Sequence, residues 1–325
     1  LRHIARTPIG HAMDLGAIVT QTWEELADER GSGNPARYIP ALASVDPKKF
    51  GIALATKEGE VFCAGDADEA FSIQSISKVF ALALALERQG AALWDVVGRE
   101  PSGDAFNSIV QLEREKGIPR NPFINSGAIV TTDRFIDTRT PDEAVEDLLG
   151  RLRRMGRDDT ISFDPEVARS ESETGSRNRS LAWFLADFGR LINPVEDVLS
   201  VYFRQCALSM SCRQLAESAL FLAVDGTDPV TGQRMCSASR ARRINALMLM
   251  CGHYDNSGQF AFEVGFPGKS GVGGGILASV PGRAAIAVWS PGLNRAGTSL
   301  LGAKALASIA LKTGWSIFSG QWTEP

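Results

Sequence analysis

Two short strings carry side chains that could do chemistry together. Ser75-Ile-Ser-Lys78, the only Ser-x-x-Lys of the chain, opens the run KVFALALALERQ, whose alanines and leucines favour helix. A serine at a helix start has its oxygen near unpaired N–H groups and the positive dipole end, where a developing oxyanion is stabilised. Residues i and i+3 share a helix face, so the Lys78 amine can reach the Ser75 hydroxyl. Lysine is a base only when neutral, which requires burial or a neighbouring cation to bring its pKa down from about 10.4. About one Ser-x-x-Lys arises by chance in such a chain, and Ser75 would then be a plain helix cap beside a solvated Lys78. Near the far end, Lys269-Ser-Gly271 precedes VGGGILASV. A glycine-rich strand beside the serine would supply a second oxyanion N–H and let substrate approach closely. A tight turn before an edge strand accounts for the glycines but not for Lys269 and Ser270.

Composition narrows the alternatives. The chain has 325 residues, 44% hydrophobic and 22% charged, as expected of a soluble globular protein with a sizeable core and no membrane span. It has three histidines, His3, His11 and His253, too few for a His-ligated metal site or a His-based triad. If the protein is an enzyme, its base is another residue type. The net charge of −4 argues against nucleic acid or an anionic membrane as partner, since both need a basic field. Cys63, Cys206, Cys212, Cys236 and Cys251 are odd in number and lack C-x-x-C, which reads as free thiols, mostly buried. The N-terminus has no charged lead followed by a long apolar run, so it does not read as a secretory signal, and cytoplasm is the expected compartment. Leu1 is not a start methionine, which leaves a trimmed leader open.

The elements that must position these residues fall into a strand, helix, strand order. FGIALAT (residues 50–56) and EVFCA (60–64), joined by KEG, predict a β-hairpin after a helix around Thr22 to Arg30. From Ser75 to about Val224 the period is helical. Thr140-Pro-Asp-Glu143 has the signature of a capping box with proline at the first helical position, and Asn193-Pro-Val-Glu196 repeats the device. Further helices are expected in SLAWFLADF, QLAESALFLA and ARRINALMLMCG, the last closed by Gly252. Phe260 to Val264, Gly274 to Val280 and Ala284 to Trp289 read as strands, and Ser299 to Lys312 as a closing helix. The expectation is an α/β (α+β type) fold, a mainly antiparallel sheet flanked by helices and carrying a helical insertion. One catalytic domain over residues 1–325 would hold a sheet part near 1–74 and 225–325 and a helical part near 75–224.

The pairing of S-x-x-K with K-[ST]-G, in this order, resembles serine hydrolases of the β-lactamase and penicillin-binding type. Their third element, S-x-N or Y-x-N, has two matches, Ser176-Arg-Asn178 and Tyr254-Asp-Asn256, neither in the usual place. A closer likeness spans about Arg37 to Trp315. YIPAL at Tyr38, FSIQSISKVF around Ser75, RNPFINSGAI around Asn125 and SESETGSRN from Ser170 occur in order. VYFRQCAL around Tyr202, GHYDNSGQFAFEVG around Tyr254 and KSGVGGGI around Val272 complete the set. In these strings the chain resembles the serine-dependent glutaminases, whose fold is β-lactamase-like or transpeptidase-like. A Trp183-Phe184 pair stands where some members carry two tyrosines.

The resemblance implies hydrolysis of L-glutamine to L-glutamate and ammonia through an acyl-enzyme, without metal or organic cofactor. Ser75 is implied as nucleophile, Lys78 as its proton acceptor and Tyr254 as a hydroxyl close to both. The Ser75 and Val272 N–H groups are implied as the oxyanion hole. Glu171 would accept the α-ammonium, Asn125, Asn178 and Tyr202 would hold the α-carboxylate or shape its pocket, and Tyr38 would close it. Without the family, Glu171 would be a solvated loop acid, Asn125 and Asn178 helix caps, and Tyr202 and Tyr254 core aromatics with a bonded tip. A homodimer or homotetramer is expected by resemblance. Two other readings are a β-lactamase-like or penicillin-binding-like acyl hydrolase and a glutamine-binding sensor without turnover.

Overall fold

The computed structural model describes residues 13–319; His3 and His11 lie outside them. The predicted hairpin forms as β1 (Gly51–Thr56) and β2 (Val61–Gly65). The apolar, Gly/Pro-punctuated tail supplies three more strands of the same sheet. β3 (Phe71–Ser72), β4 (Ser162–Phe163) and β5 (Leu208–Met210) make a separate small sheet in the order β3-β5-β4. β6 (Gly268–Ser270), β7 (Gly275–Val280) and β8 (Ala284–Trp289) follow. The large sheet has the order β2-β1-β8-β7-β6, every pair antiparallel. The two chain ends therefore meet at the β1–β8 ladder, where Leu54 pairs with Ile286.

Alternation along the strands sorts the side chains by size. Ile52, Leu54, Ile276, Ile286 and Val288 face the helices Leu15–Glu25 and Leu300–Thr313, meeting Val19, Leu306 and Ile309. The opposite face is small, with Ala53, Ala55, Ala285 and Ala287, which lets the helix Cys212–Ser218 pack directly on the strands. Beyond it lie the other helices, among them Ser77–Gln89, Asn125–Ile136, Pro141–Gly156 and Val195–Cys206.

The capping box at Thr140 forms, with the Thr140 Oγ accepting from Glu143 N and the Glu143 carboxylate from Thr140 N. Four expectations are corrected. The first helix runs Leu15–Glu25, capped by Asp14, and residues 27–29 form only a 3₁₀ turn. Before Val195–Cys206 the cap position is Pro194; the Asn193 side chain instead donates to Asp133, a fully buried carboxylate that also accepts from Ile192 N and Asn193 N. QLAESALFLA divides into Cys212–Ser218 and Leu220–Ala223, the former opened by a Ser211/Gln214 capping box. Phe260 to Val264 is no strand: Ser257–Glu263 is helical, with Phe260 and Val264 buried at i, i+4 spacing and Phe262 88% exposed. All five cysteines are free thiols, four buried and Cys63 partly so. Among the described residues, no helix is long and apolar enough to cross a membrane.

Candidate active site

The chain entering the Ser75 turn is tied down first. Ser72 Oγ donates to Cys206 O at 3.1 Å, and Ile73 N to Leu208 O at 2.8 Å. Gln74 then adopts a φ of 51°, a left-handed conformation that a non-glycine residue keeps only where its surroundings enforce it. Its buried side chain donates to Ser72 Oγ at 3.0 Å. Ser75 follows within a 3₁₀ turn, Gln74–Ile76, and the α-helix starts at Ser77. Ser75 thus stands just ahead of the helix rather than as its first residue. It remains at the end where amides lack intrahelical acceptors.

Lys78, one turn on, is 1% exposed. Its Nζ donates to Phe123 O at 3.1 Å and to Asn125 Oδ1 at 2.8 Å. Both acceptors are neutral, and no ion pair among the described residues includes this amine. Burial pushes its pKa down to about 8, against the opposing influence of Cys206 and Glu171. Its Nζ lies 5.7 Å from the centre of the Tyr254 ring and 5.9 Å from that of Tyr202. Among the described residues no hydrogen bond joins Lys78 Nζ to Ser75 Oγ; such bonds are often loose without substrate. Burial pushes the Tyr254 phenol up, with Ser75 acting in the opposite direction, and both side chains line one cavity.

The second wall comes from the β6–β7 hairpin. Lys269-Ser270 is itself strand β6, with Lys269 opposite Leu277, and Val272 sits in the turn. A Cβ on Gly271 would stand 2.4 Å from Ile73 O, and one on Gly273 2.1 Å from Ser72 O. Only glycine lets this turn lie against the backbone that carries Ser75. The Val272 N–H has no backbone acceptor among the described residues, and Val272 lines the adjoining cavity.

Between these walls is a cavity of about 220 Å³ lined by Tyr38, Ser75, Asn125, Glu171, Asn178, Tyr202, Tyr254 and Val272. Such a volume lies below the ~300–1,000 Å³ of drug-sized sites and suits an amino-acid-sized ligand. All three tyrosines of the chain line it. Tyr38 stands at the rim, 59% exposed, whereas Tyr202 is buried. Asn125 opens its helix without capping it; its Nδ2 donates to Asn178 Oδ1 at 2.9 Å while its Oδ1 takes Lys78. Glu171 is 7% exposed, and burial raises its pKa to about 7, with Gln74 and Lys78 pulling the other way. A buried carboxyl with a pKa so shifted by burial is a functional-site candidate. Of the two Y-x-N and S-x-N candidates, Tyr254 and Asn178 line the cavity while Asn256 does not.

The profile of the family described as Glutaminase matches residues 33–318. The chain belongs to the glutaminase family. It is 58% identical to a glutaminase of Rhizobium rhizogenes over 94% of this chain and 99% of the relative. It is 59% identical to one of Rhizobium etli at the same coverage. Among solved structures, a probable glutaminase ybaS matches with a TM-score of 0.88 at 38% identity, over 94% of this chain and 99% of that one. The glutamate form of Mglu matches with a TM-score of 0.89 at 37% identity, over 96% of this chain and 71% of that one.

In this glutaminase-family chain the cavity also has lining that sequence reasoning missed. Cys206 lies one helical turn beyond Tyr202, so i, i+4 spacing from a candidate was the available signal; burial pushes its thiol up to about 12. Gln74 is next to Ser75, but its conformation leaves no mark in sequence. Phe106, whose ring centre is 4.9 Å from that of Tyr254, comes from a loop without motif, and Arg177 lies beside Asn178 at the rim. His253 is buried and stacked on Phe260 at 3.7 Å, with burial and Lys269 pushing its pKa well down. Among the described residues no group of three or more His, Cys, Asp or Glu side chains is placed to hold a metal.

Proposed function

We propose that the protein is an L-glutamine amidohydrolase that works through a γ-glutamyl ester on Ser75. The observation that carries this reading is Lys78: a fully buried amine beside the serine, bonded only to neutral oxygens and with its pKa pushed down to about 8. Such an amine has a substantial neutral fraction near pH 8 and can take the Ser75 proton. As Ser75 Oγ bonds to the side-chain amide carbon, negative charge moves to the carbonyl oxygen, facing the Ser75 and Val272 N–H groups. Collapse breaks the C–N bond, and the leaving nitrogen takes a proton from Lys78, directly or through the Tyr254 hydroxyl, and departs as ammonia. Water then adds to the ester, releasing glutamate and returning Ser75 to its starting state.

The other end of the substrate fits the same cavity. Glu171 accepts the α-ammonium, which draws its pKa back down and secures the ionised form. Asn125, Asn178 and Tyr202 hold the α-carboxylate or shape the space around it, and Tyr38 closes the rim. This clamp fixes the reacting amide at the serine, and it would leave buried polar groups unpaired for amides without an amino-acid end. The glutamate form of Mglu supports this occupant by relationship.

A coupled ammonia assay with glutamine and asparagine, together with an absorbance assay on a chromogenic β-lactam, tests the reading. Wild-type protein should release ammonia from glutamine, act poorly on asparagine, whose amide is one methylene too near the clamp, and leave the β-lactam intact. Ser75→Ala should abolish the release. Glutamine binding without ammonia from wild-type protein would replace the enzyme with a sensor, and β-lactam opening would replace the substrate.

A further inference from the structure

Where the Ser77–Gln89 helix gives way to the 3₁₀ turn Gly90–Asp95, a groove of about 550 Å³ opens against the helix Ala238–Cys251. Helical spacing builds its longer wall, with Arg243, Leu247 and Met250 at i, i+4 and i+7. Trp94 lines the other side, and alanines at 91 and 246 leave room between. None of these residues lines the Ser75 cavity. The groove is both apolar and cationic. Trp94 is half-buried and Met250 is 51% exposed, so apolar surface stays in contact with solvent. The Arg99 guanidinium carbon is 5.8 Å from the centre of the Trp94 ring. No ion pair or hydrogen bond among the described residues includes the guanidinium of Arg99 or of Arg243. Asp95 is the one carboxylate in the lining. Arg240, whose terminal nitrogen would stand 3.9 Å from a Cβ on Gly90, adds cationic charge at the start of the turn. On a chain of net charge −4, this excess of guanidinium sets a local field that attracts anions. A planar guanidinium grips a carboxylate or phosphate with two parallel hydrogen bonds.

We propose that this groove binds a small organic anion with a flat apolar body. The body lies against Trp94, Leu247 and Met250, and the anionic group is held by Arg99 and Arg243. The volume falls within the ~300–1,000 Å³ of small-molecule sites. A stable protein partner engages about 20–30 residues a side, whereas eight line this groove. The site stands apart from the proposed glutamine chemistry, since the two cavities share no lining residue.

The planar carboxylate 2-naphthoate is the probe, with 2-naphthamide as its uncharged counterpart. In proton–nitrogen correlation spectra the Trp94 indole N–H signal, identified by its loss in Trp94→Phe, should shift on titration of the wild-type protein with a Kd below about 1 mM. The amide should bind at least about tenfold more weakly, and Arg99→Gln and Arg243→Gln should each weaken 2-naphthoate about tenfold. Both arginines are exposed, so neither change should disturb the fold. Ala246→Trp, which fills the groove, should abolish binding, and saturating L-glutamate should leave the wild-type titration unchanged. A Kd above about 10 mM, affinity that survives loss of both guanidiniums or of the probe's charge, or displacement by L-glutamate, which would put the probe in the Ser75 cavity, overturns the proposal. So does a lower oligomeric state of Met250→Glu protein in sedimentation, which would make this face an interface between copies of the chain.

Discussion

Lys78 and Glu171 owe their chemistry to the same cause acting on opposite charges. Burial brings the amine down to about 8 and the carboxyl up to about 7. The proposed reaction needs the amine neutral and the carboxylate ionised, so both requirements fail as pH falls. The logarithm of kcat/KM for glutamine should therefore fall with slope one just below pH 8 and with slope approaching two below about pH 7. Glu171→Gln should return the lower limb to slope one and raise KM about tenfold or more while changing kcat less. A profile of unit slope throughout for wild-type protein would show that one of the two groups is not required in the assigned form. That Lys78 is a candidate base was legible in Ser-x-x-Lys; that it is buried was not, because Phe123 and Asn125, its acceptors, come from a distant stretch of chain.

At the level of elements, the hairpin β1–β2 was legible because its turn and alternation are local. The segment FAFEV misled because apolar residues at 260, 262 and 264 satisfy a period of two as well as i, i+4. Burial distinguishes them: Phe260 is in the core and Phe262 is 88% exposed. Phe260→Ala should cost about 3–5 kcal/mol of unfolding free energy and Phe262→Ser within about 0.5 kcal/mol, as measured by chemical denaturation. Comparable losses at both positions would favour a buried strand. The β6–β7 turn is an element fixed by glycine, and the proposed oxyanion hole depends on its position. Gly273→Ala, which places a methyl group against Ser72 O, should push the turn and Val272 away from Ser75. The loss of a well-placed oxyanion donor should lower kcat about 100-fold. Far-UV circular dichroism should remain native; activity near wild type would show that Val272 contributes no such donor.

Across the whole molecule, the antiparallel sheet closed by its two chain ends was legible from strands at both ends of the sequence with helices between. The grouping of the candidate site residues around one cavity was legible for a different reason. Its residues come from Tyr38, the Ser75 turn, Asn125, the stretch Glu171–Asn178, the Tyr202 helix, Tyr254 and Val272, and no local rule joins positions so far apart. The ordered strings of the glutaminase resemblance joined them, and the cavity places them together. The scarcity of tyrosine helped, since three tyrosines in seven matched strings stand out where three of a common residue would not. What this arrangement is proposed to do converges on one covalent bond. Acid-quenched reaction mixtures of the protein turning over glutamine, digested and weighed by mass spectrometry, test it most directly. The peptide containing Ser75 should gain the mass of glutamine less ammonia, attached at Ser75, and Ser75→Ala protein should show neither adduct nor ammonia. Ammonia release that persists in Ser75→Ala, or an adduct on any other residue, would contradict the account.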